Sequence, residues 1–152
     1  MKPKILVSGC LLGNPTRYDG KSKRNEAVCK LKDVVNFVVI CPEHDGGLPI
    51  PRDPCEIQGN KVISSKGRDC TFEYTKGATL ALEAAKRDDI HFALLKEKSP
   101  SCGIHKIHNG KFDGGVIDGQ GVTAKLLTSN RIEVFDEDEI DLLLEKIKST
   151  SK

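Results

Sequence analysis

The chain has 152 residues, the usual size of one compact domain, and we predict that residues 1–152 form a single domain. Its 24 Lys and Arg residues nearly balance 22 Asp and Glu residues, and the net charge of +2 argues against broad binding of large nucleic acids. No run of 18 apolar residues occurs, and the start, MKPKILVSG, turns polar too soon for a signal peptide. We therefore expect a cytoplasmic protein with reduced thiols and no membrane partner.

Apolar runs and helical periodicity alternate along the chain. Runs of apolar and β-branched residues predict four buried strands, at residues 4–8, 37–41, 92–95 and 132–135. Apolar residues at helical spacing predict four helices, at residues 27–35, 71–87, 122–128 and 136–148. This alternation predicts an α/β fold: a Rossmann-like three-layer α/β/α sandwich around a mostly parallel four-stranded sheet.

Two long segments interrupt this alternation, and each follows the carboxyl end of a predicted strand. Residues 42–60 hold four of the seven prolines, and residues 99–121 hold six of the fourteen glycines. The second segment contains Asn109-Gly110, a pair that suits a type I′ turn. We therefore predict a small β-hairpin insertion there.

Three of the six cysteines stand at strand ends. Cys10 follows the first predicted strand, Cys41 ends the second, and Cys102 lies in the turn after the third. Because ligands of open parallel sheets bind outside the carboxyl ends of the strands, we expect these thiols to converge at one mouth. Cysteine is among the most buried residue types, so we interpret the others as structural. These are Cys29, Cys55 and Cys70.

Three convergent thiolates suit two kinds of metal centre. They can ligate zinc with a histidine as fourth ligand, for which the chain offers His44, His105 and His108. They can also hold an iron–sulfur cluster that leaves one iron open to substrate. Because the spacing does not separate these two, a non-enzymatic, zinc-stabilised binding module stays an alternative to an enzyme.

A cysteine nucleophile is a further alternative. The stretch SGCLLGNPTR is similar to the loop of small cysteine phosphatases and arsenate reductases, in which five residues separate Cys from Arg. Here six residues separate Cys10 from Arg17. The additional residue disturbs the ring of backbone N–H groups that a phosphate needs.

Six ordered motifs, which run from Lys4 to about Phe135, carry a more extensive resemblance. They read KILVSGCLLG with RYDG, ICPEHDGGLPIPRDPCEIQG, GRDCTFEYTKGA, LLKEKSPSCG, NGKFDGG and GQGVTAKLL. The chain thereby resembles a bacterial domain family, once of unknown function, that includes the [4Fe-4S]-dependent thiouracil desulfidases. The resemblance implies that Cys10, Cys41 and Cys102 hold a [4Fe-4S] cluster, the same thiols that the strand ends indicate.

The resemblance also implies the reaction. Thiolated pyrimidines, such as 2- or 4-thiouracil or thiouridine monophosphate, would be hydrolysed to uracil or UMP and hydrogen sulfide. The substrate sulfur would bind the open iron without net redox change. The resemblance assigns Glu43 to the activation of water. We assign Ser99, or as second choice Ser101, to a hydrogen bond or proton relay.

A glycine-rich turn predicts a site for a substrate phosphate. Residues 119–124 open the third predicted helix, and the N-terminus of a helix offers N–H donors and a favourable dipole to an anion. The candidate phosphate-binding residues are Gly119, Gly121 and Thr123. The candidate cations for the phosphate or the cluster are Arg17, Arg52 and Lys96. The sequence does not predict the oligomeric state.

Overall fold

The computed structural model describes residues 2–14, 19 and 24–150. Its strands are β1 (Lys4–Ser8), β2 (Asn36–Ile40), β3 (Cys55–Gln58), β4 (Lys61–Ser64), β5 (Phe92–Leu95), β6 (Lys106–His108), β7 (Val116–Asp118) and β8 (Glu133–Asp136). Its α-helices are α1 (Glu26–Cys29), α2 (Pro42–Asp45), α3 (Thr71–Arg87), α4 (Val122–Ser129) and α5 (Ile140–Thr150). In the part of the chain that the structure describes, no helix is long and apolar enough to cross a membrane.

The central sheet has four parallel strands in the order β2-β1-β5-β8. This confirms the predicted sheet, although β2 begins and ends one residue earlier than expected and β8 one residue later. Cys41 therefore lies directly after β2 instead of ending it. The carboxyl ends of β1, β2 and β5 lie side by side, which brings the segments after them to one edge of the sheet.

Side chains of the central strands alternate between two hydrophobic cores, one on each face of the sheet. On one face Leu6 and Ala93 pack with residues of α3 and α4, among them Ala81, Ala85, Ala124 and Leu127. On the other face Ile5, Val7 and Leu94 pack with residues of the first and last helical segments, among them Val28, Leu31 and Leu143. Helices thus cover both faces, as the predicted three-layer sandwich requires.

The first predicted helix is shorter than expected. Asn25 caps α1 by accepting a hydrogen bond from the Val28 N–H, but α1 ends at Cys29 and continues only as a 3₁₀ helix, Lys30–Asp33. The prediction of a helix over 27–35 was therefore wrong at its end. Val34 leaves the helical region with a φ of −124°, and Val35 is buried in the core beside the start of β2. Two consecutive β-branched residues favour this change of direction.

The last helix begins later than predicted because Asp136 completes β8. The Asp136 N–H donates to the Glu139 side chain at 3.2 Å, a hydrogen bond within the turn that precedes the helix. The helix itself runs from Ile140 to Thr150.

Two antiparallel hairpins lie outside the central sheet. The predicted hairpin is present as β6-β7, but residues 109–115 connect its strands in place of a two-residue Asn-Gly turn. The hairpin β3-β4 was missed, and residues 59 and 60 form its connection. It occupies the end of the proline-rich segment that we had interpreted as a connection.

Gly77 allows helix α2 to pack directly on helix α3. A Cβ atom at Gly77 would lie 1.8 Å from the carbonyl oxygen of Pro42, far inside van der Waals contact. We expect Gly77→Ala to lower the free energy of unfolding by about 2 kcal/mol or more, although alanine normally favours a helix over glycine. The midpoint of urea unfolding measures this. Thr75→Ala, at an exposed position of the same helix, is the control and should be close to neutral.

Candidate active site

The three cysteines predicted at strand ends line one cavity of about 590 Å³ at the carboxyl edge of the sheet. Cys10 lies in a 3₁₀ helix, Gly9–Leu12, that follows β1 directly. Cys41 precedes α2 as its N-cap, and Cys102 lies in the loop after β5. The fold thus brings together three sulfur atoms from distant parts of the chain.

These thiols lie where a negative charge is unfavourable. Burial is the main cause that raises the pKa of Cys10 to about 11; Lys96 opposes this rise, and nearby Cys41 and Glu43 contribute to it. Burial also raises the pKa of Cys102, which is 4% exposed. A bound metal cation offsets this cost, because metals bind thiolates. A set of three sulfur donors is typical of zinc and iron–sulfur centres.

The spacing of the thiols does not match a preformed zinc site. Among the described residues, one group of three possible metal ligands has all its ligand atoms within 4.8 Å of one another: Glu97, His105 and Asp136. The sulfur atoms of Cys10, Cys41 and Cys102 do not lie this close together. Sulfur ligands about 2.3 Å from a tetrahedral zinc lie about 4 Å apart.

The histidines considered as fourth ligands are placed differently. His108 lines the cavity, whereas the wall includes neither His44 nor His105. His105 is exposed and makes a hydrogen bond with Glu139 at 3.0 Å. Arg17, the residue required by the cysteine-nucleophile alternative, lies outside the described residues.

Glu43, in the first turn of α2, lines the cavity and holds its carboxylate in a fixed orientation. Its Oε2 atom accepts hydrogen bonds from Arg52 Nη2 at 3.0 Å and from the Tyr74 hydroxyl at 2.8 Å. Its Oε1 atom accepts a hydrogen bond from the Ser99 hydroxyl at 3.3 Å. Two bonds therefore anchor one oxygen, and the other faces the serine.

The Ser99 hydroxyl is oriented by the loop that carries Cys102. Its oxygen accepts hydrogen bonds from the backbone N–H groups of Ser101 and Cys102, each at 3.1 Å. Because these donors occupy both lone pairs, the hydroxyl proton is directed to Glu43. A hydrogen-bonded path thus connects Glu43, Ser99 and the backbone of a candidate ligand.

Ser101, the second candidate serine, lies away from the cavity wall. It is fully buried, and its hydroxyl forms a hydrogen bond of 2.7 Å with the hydroxyl of Thr123 on α4. This hydrogen bond links the loop that carries Cys102 to α4. We therefore retain Ser99 as the candidate that adjoins Glu43.

The N-terminus of α4 binds the loop that carries Cys102. This corrects our interpretation of the glycine-rich turn as a phosphate site. The N–H groups of residues 122–124 donate to the carbonyl oxygens of Pro100 and Ser101, and Gly119 donates to His105. A Cβ at Gly121 would lie 2.5 Å from the carbonyl group of Ser101. Glycine at this position therefore allows the start of α4 to pack against the backbone of Ser101. The donors predicted to bind a phosphate through Gly119, Gly121 and Thr123 are already used.

Glu97 was missed in the sequence, yet it secures the same loop. Its Oε1 atom accepts hydrogen bonds from the N–H groups of Lys98, Ile104, His105 and Lys106. Burial opposes its ionisation, but hydrogen bonds from Asp136 and from the backbone hold its pKa well below the usual value. In the sequence it stands between two lysines and looks like an ordinary surface residue.

Two of the candidate cations border the cavity. Lys96 pairs with Glu137 at 2.9 Å and lowers the pKa of Cys10, whereas Arg52 is almost fully buried beside Glu43. Burial alone would lower the pKa of Arg52, but the Glu43 carboxylate outweighs it and raises that pKa. Arg52 therefore acts on Glu43 as a permanently charged partner.

Residues 5–139 match the sequence model of a protein family described as 2-thiouracil desulfurase. The chain belongs to the 2-thiouracil desulfurase family. The family resemblance stated above is thereby confirmed. This desulfurase-family chain is 41% identical over 150 residues to YbbK, an uncharacterized protein of Bacillus subtilis strain 168, with 92% of this chain and 99% of YbbK covered.

A solved structure of a [4Fe-4S]-dependent thiouracil desulfidase, TudS (DUF523Vcz), has the same fold as this desulfurase-family chain. The two match with a TM-score of 0.92 and 46% sequence identity, covering 97% of this chain and 99% of TudS. This likeness confirms the predicted α/β fold over nearly the whole chain.

Proposed function

We propose that this protein is a [4Fe-4S]-dependent thiouracil desulfidase that acts on thiolated pyrimidines as small molecules. One observation carries the proposal: Cys10, Cys41 and Cys102 share a single cavity with the hydrogen-bonded pair Glu43 and Ser99. Membership of the 2-thiouracil desulfurase family and the likeness to TudS support it. The cytoplasm remains the predicted compartment.

The proposed reaction is a hydrolysis. The C=S bond of the pyrimidine is broken and a C=O bond is formed, with water supplying the oxygen and two protons leaving on the sulfur as hydrogen sulfide. No electrons enter or leave. Thiouracil and thiouridine monophosphate are both proposed substrates, because each presents the same thiolated ring.

Cys10, Cys41 and Cys102 would hold the cluster, since they supply three sulfur donors at one cavity. When bound through three thiolates, such a cluster supplies one open iron as a Lewis acid for the thione sulfur. Lys96 and Arg52 line the same cavity and contribute positive charge there.

Glu43 is proposed to remove a proton from the attacking water. Its Oε2 atom is held by Arg52 and Tyr74, which leaves Oε1 as the oxygen that receives the proton. A positioned general base contributes about 10² to 10⁴ in rate. The burial of Arg52 keeps the carboxylate oriented without exposing it to bulk water.

Ser99 is proposed to relay that proton. Its hydroxyl donates to Glu43 Oε1 at 3.3 Å, so the serine proton can pass to Glu43 while the serine oxygen takes up the proton of the attacking water. The N–H groups of Ser101 and Cys102 hold the serine oxygen in place and stabilise negative charge on it. The serine therefore connects the base with the loop that carries a cluster ligand.

The anchoring of Glu43 gives a prediction for Tyr74. We expect Tyr74→Phe to lower kcat about tenfold with a much smaller change in KM, because Glu43 loses the hydrogen bond from the Tyr74 hydroxyl but keeps Arg52. The unfolding free energy should fall by about 1 kcal/mol. Steady-state kinetics and urea unfolding measure the two effects. Equal kcat values in the variant and the wild type would show that Tyr74 does not position Glu43 for catalysis.

The function itself is tested by anaerobic purification, cluster reconstitution and incubation with 2- and 4-thiouracil in H₂¹⁸O without reductant. We expect equimolar sulfide and uracil, with one ¹⁸O atom in each uracil. Release of sulfide only with added reductant would contradict a hydrolysis. A zinc-containing protein that releases no sulfide after iron reconstitution would instead favour the binding module.

A further inference from the structure

The loop between β6 and β7, residues 109–115, contributes Phe112 and Gly114 to the lining of the active-site cavity. Phe112 on this loop lines the cavity and is 36% exposed, whereas Phe92 and Phe135 are buried in the core of the sheet. Among the described residues that line the cavity, Phe112 is the one Phe, Tyr or Trp. An accessible ring at a cavity wall is typical of ligand contact.

The backbone holds Phe112 in an unfavourable conformation. Its φ angle is +54°, in the left-handed region that favours glycine. A bulky residue persists there when the surrounding structure fixes it, and such positions cluster at functional sites. Glycine would satisfy the turn at lower cost, so the presence of phenylalanine indicates a use for its ring.

The hairpin β3-β4 supplies the contacts that fix this loop. The buried carboxylate of Glu56 accepts hydrogen bonds from the N–H groups of Gly110 at 2.9 Å and Phe112 at 3.2 Å. The Gln58 side chain donates to the Gly110 carbonyl at 2.7 Å. Phe112 is therefore carried by a loop that is bonded to a second element.

A second residue that lines the cavity has a polar atom without a partner in the described chain. His108, the last residue of β6, lines the cavity, and its buried Nδ1 atom has no hydrogen-bond partner within the described chain. Buried polar atoms are nearly always paired, so an atom at a cavity wall without a protein partner is available to bond water or a ligand. A pyrimidine has both a flat face and polar ring edges, which match these two side chains.

We propose that Phe112, on the loop whose backbone Glu56 binds, is the stacking platform for the pyrimidine ring. The inference rests on the proposed function, because it specifies how the same cavity selects a planar heterocycle. Stacking on an aromatic side chain binds the ring without contributing to bond cleavage. Phe112 therefore determines substrate affinity rather than the rate of the chemical step.

The test compares Phe112→Ala and Phe112→Tyr with wild type, all with reconstituted cluster. KM and kcat are measured with 4-thiouracil, and calorimetry measures the affinity for uracil, which has no thione sulfur. We expect Phe112→Ala to raise KM and weaken uracil binding about tenfold, with kcat changed less than about threefold. Phe112→Tyr should keep wild-type values of both. Phe72→Ala is the matched control, because Phe72 is exposed on α3 and does not line the cavity.

Unchanged KM and uracil affinity in Phe112→Ala would overturn the proposal, as would a fall in kcat alone. If this variant loses iron, Phe112→Leu replaces it, since leucine keeps an apolar side chain without a ring, and the same tenfold weakening is expected. A wild type that binds uracil but releases no sulfide would refute the proposed desulfidase function. In that case the uracil affinities of wild type and the Phe112 variants would still show whether the pyrimidine ring stacks on Phe112.

Discussion

Replacement of Glu43 by glutamine is expected to lower the rate of sulfide release about 10²- to 10⁴-fold while leaving the cluster assembled. Glutamine has the shape of glutamate, and its carbonyl oxygen still accepts hydrogen bonds from Arg52 and Tyr74. Its amide cannot accept the proton of an attacking water, however. It also presents N–H donors to Ser99, whose oxygen already accepts two hydrogen bonds. The chemical step should therefore fail although the site keeps its shape.

The measurement pairs sulfide release with iron and acid-labile sulfide content for wild type and Glu43→Gln. Glu83→Gln, an exposed position on α3, makes the same chemical change away from the cavity and should behave as wild type. Turnover of Glu43→Gln within a few fold of wild type would eliminate Glu43 as the base. Loss of iron in this variant would instead indicate that Glu43 helps to hold the cluster.

Cys102→Ser is expected to remove most of the cluster. A cubane cluster contributes about four iron and four labile sulfide per chain, and loss of one of three sulfur donors should reduce both strongly. The backbone N–H of Cys102 would still donate to Ser99, so the loop should keep its conformation. Sulfide release should fall in parallel with iron content.

Cys29→Ser is the matched control, because Cys29 lies in α1 and does not line the cavity. It should keep wild-type iron content and activity. Cys41→Ser separates the present proposal from a cysteine nucleophile at Cys10. It should remove iron and activity under our proposal, whereas a metal-free reaction at Cys10 would leave activity nearly unchanged.

The central sheet could be predicted because buried parallel strands appear as short apolar runs, and these runs were recognisable without knowledge of their partners. The placement of Cys10, Cys41 and Cys102 followed from the same pattern, since each stands next to a strand end. The hairpin β3-β4 also had a local signal, the pair Gly59-Asn60 between two short strands. The prolines before it directed our interpretation to a loop.

The supporting residues of the site could not be predicted, because their roles arise from contacts between distant segments. Tyr74 and Glu43 are 31 positions apart, and Phe112 is held by Glu56 from 56 positions away. The glycine-rich turn at Gly121 was ambiguous for a related reason. Close packing and anion binding are both consistent with glycine at the start of a helix, and only the partner of the N–H groups distinguishes them.

The anchoring of the Cys102 loop has a consequence for exposure to oxygen. Glu97, the start of α4 and Ser99 hold this loop through contacts among protein groups alone. The two cores likewise consist of side chains on either face of the sheet. Air should therefore inactivate the protein without unfolding it, and iron with sulfide and a thiol reductant should restore an oxidised sample. Damage of this kind would be repairable in place, without synthesis of a new chain.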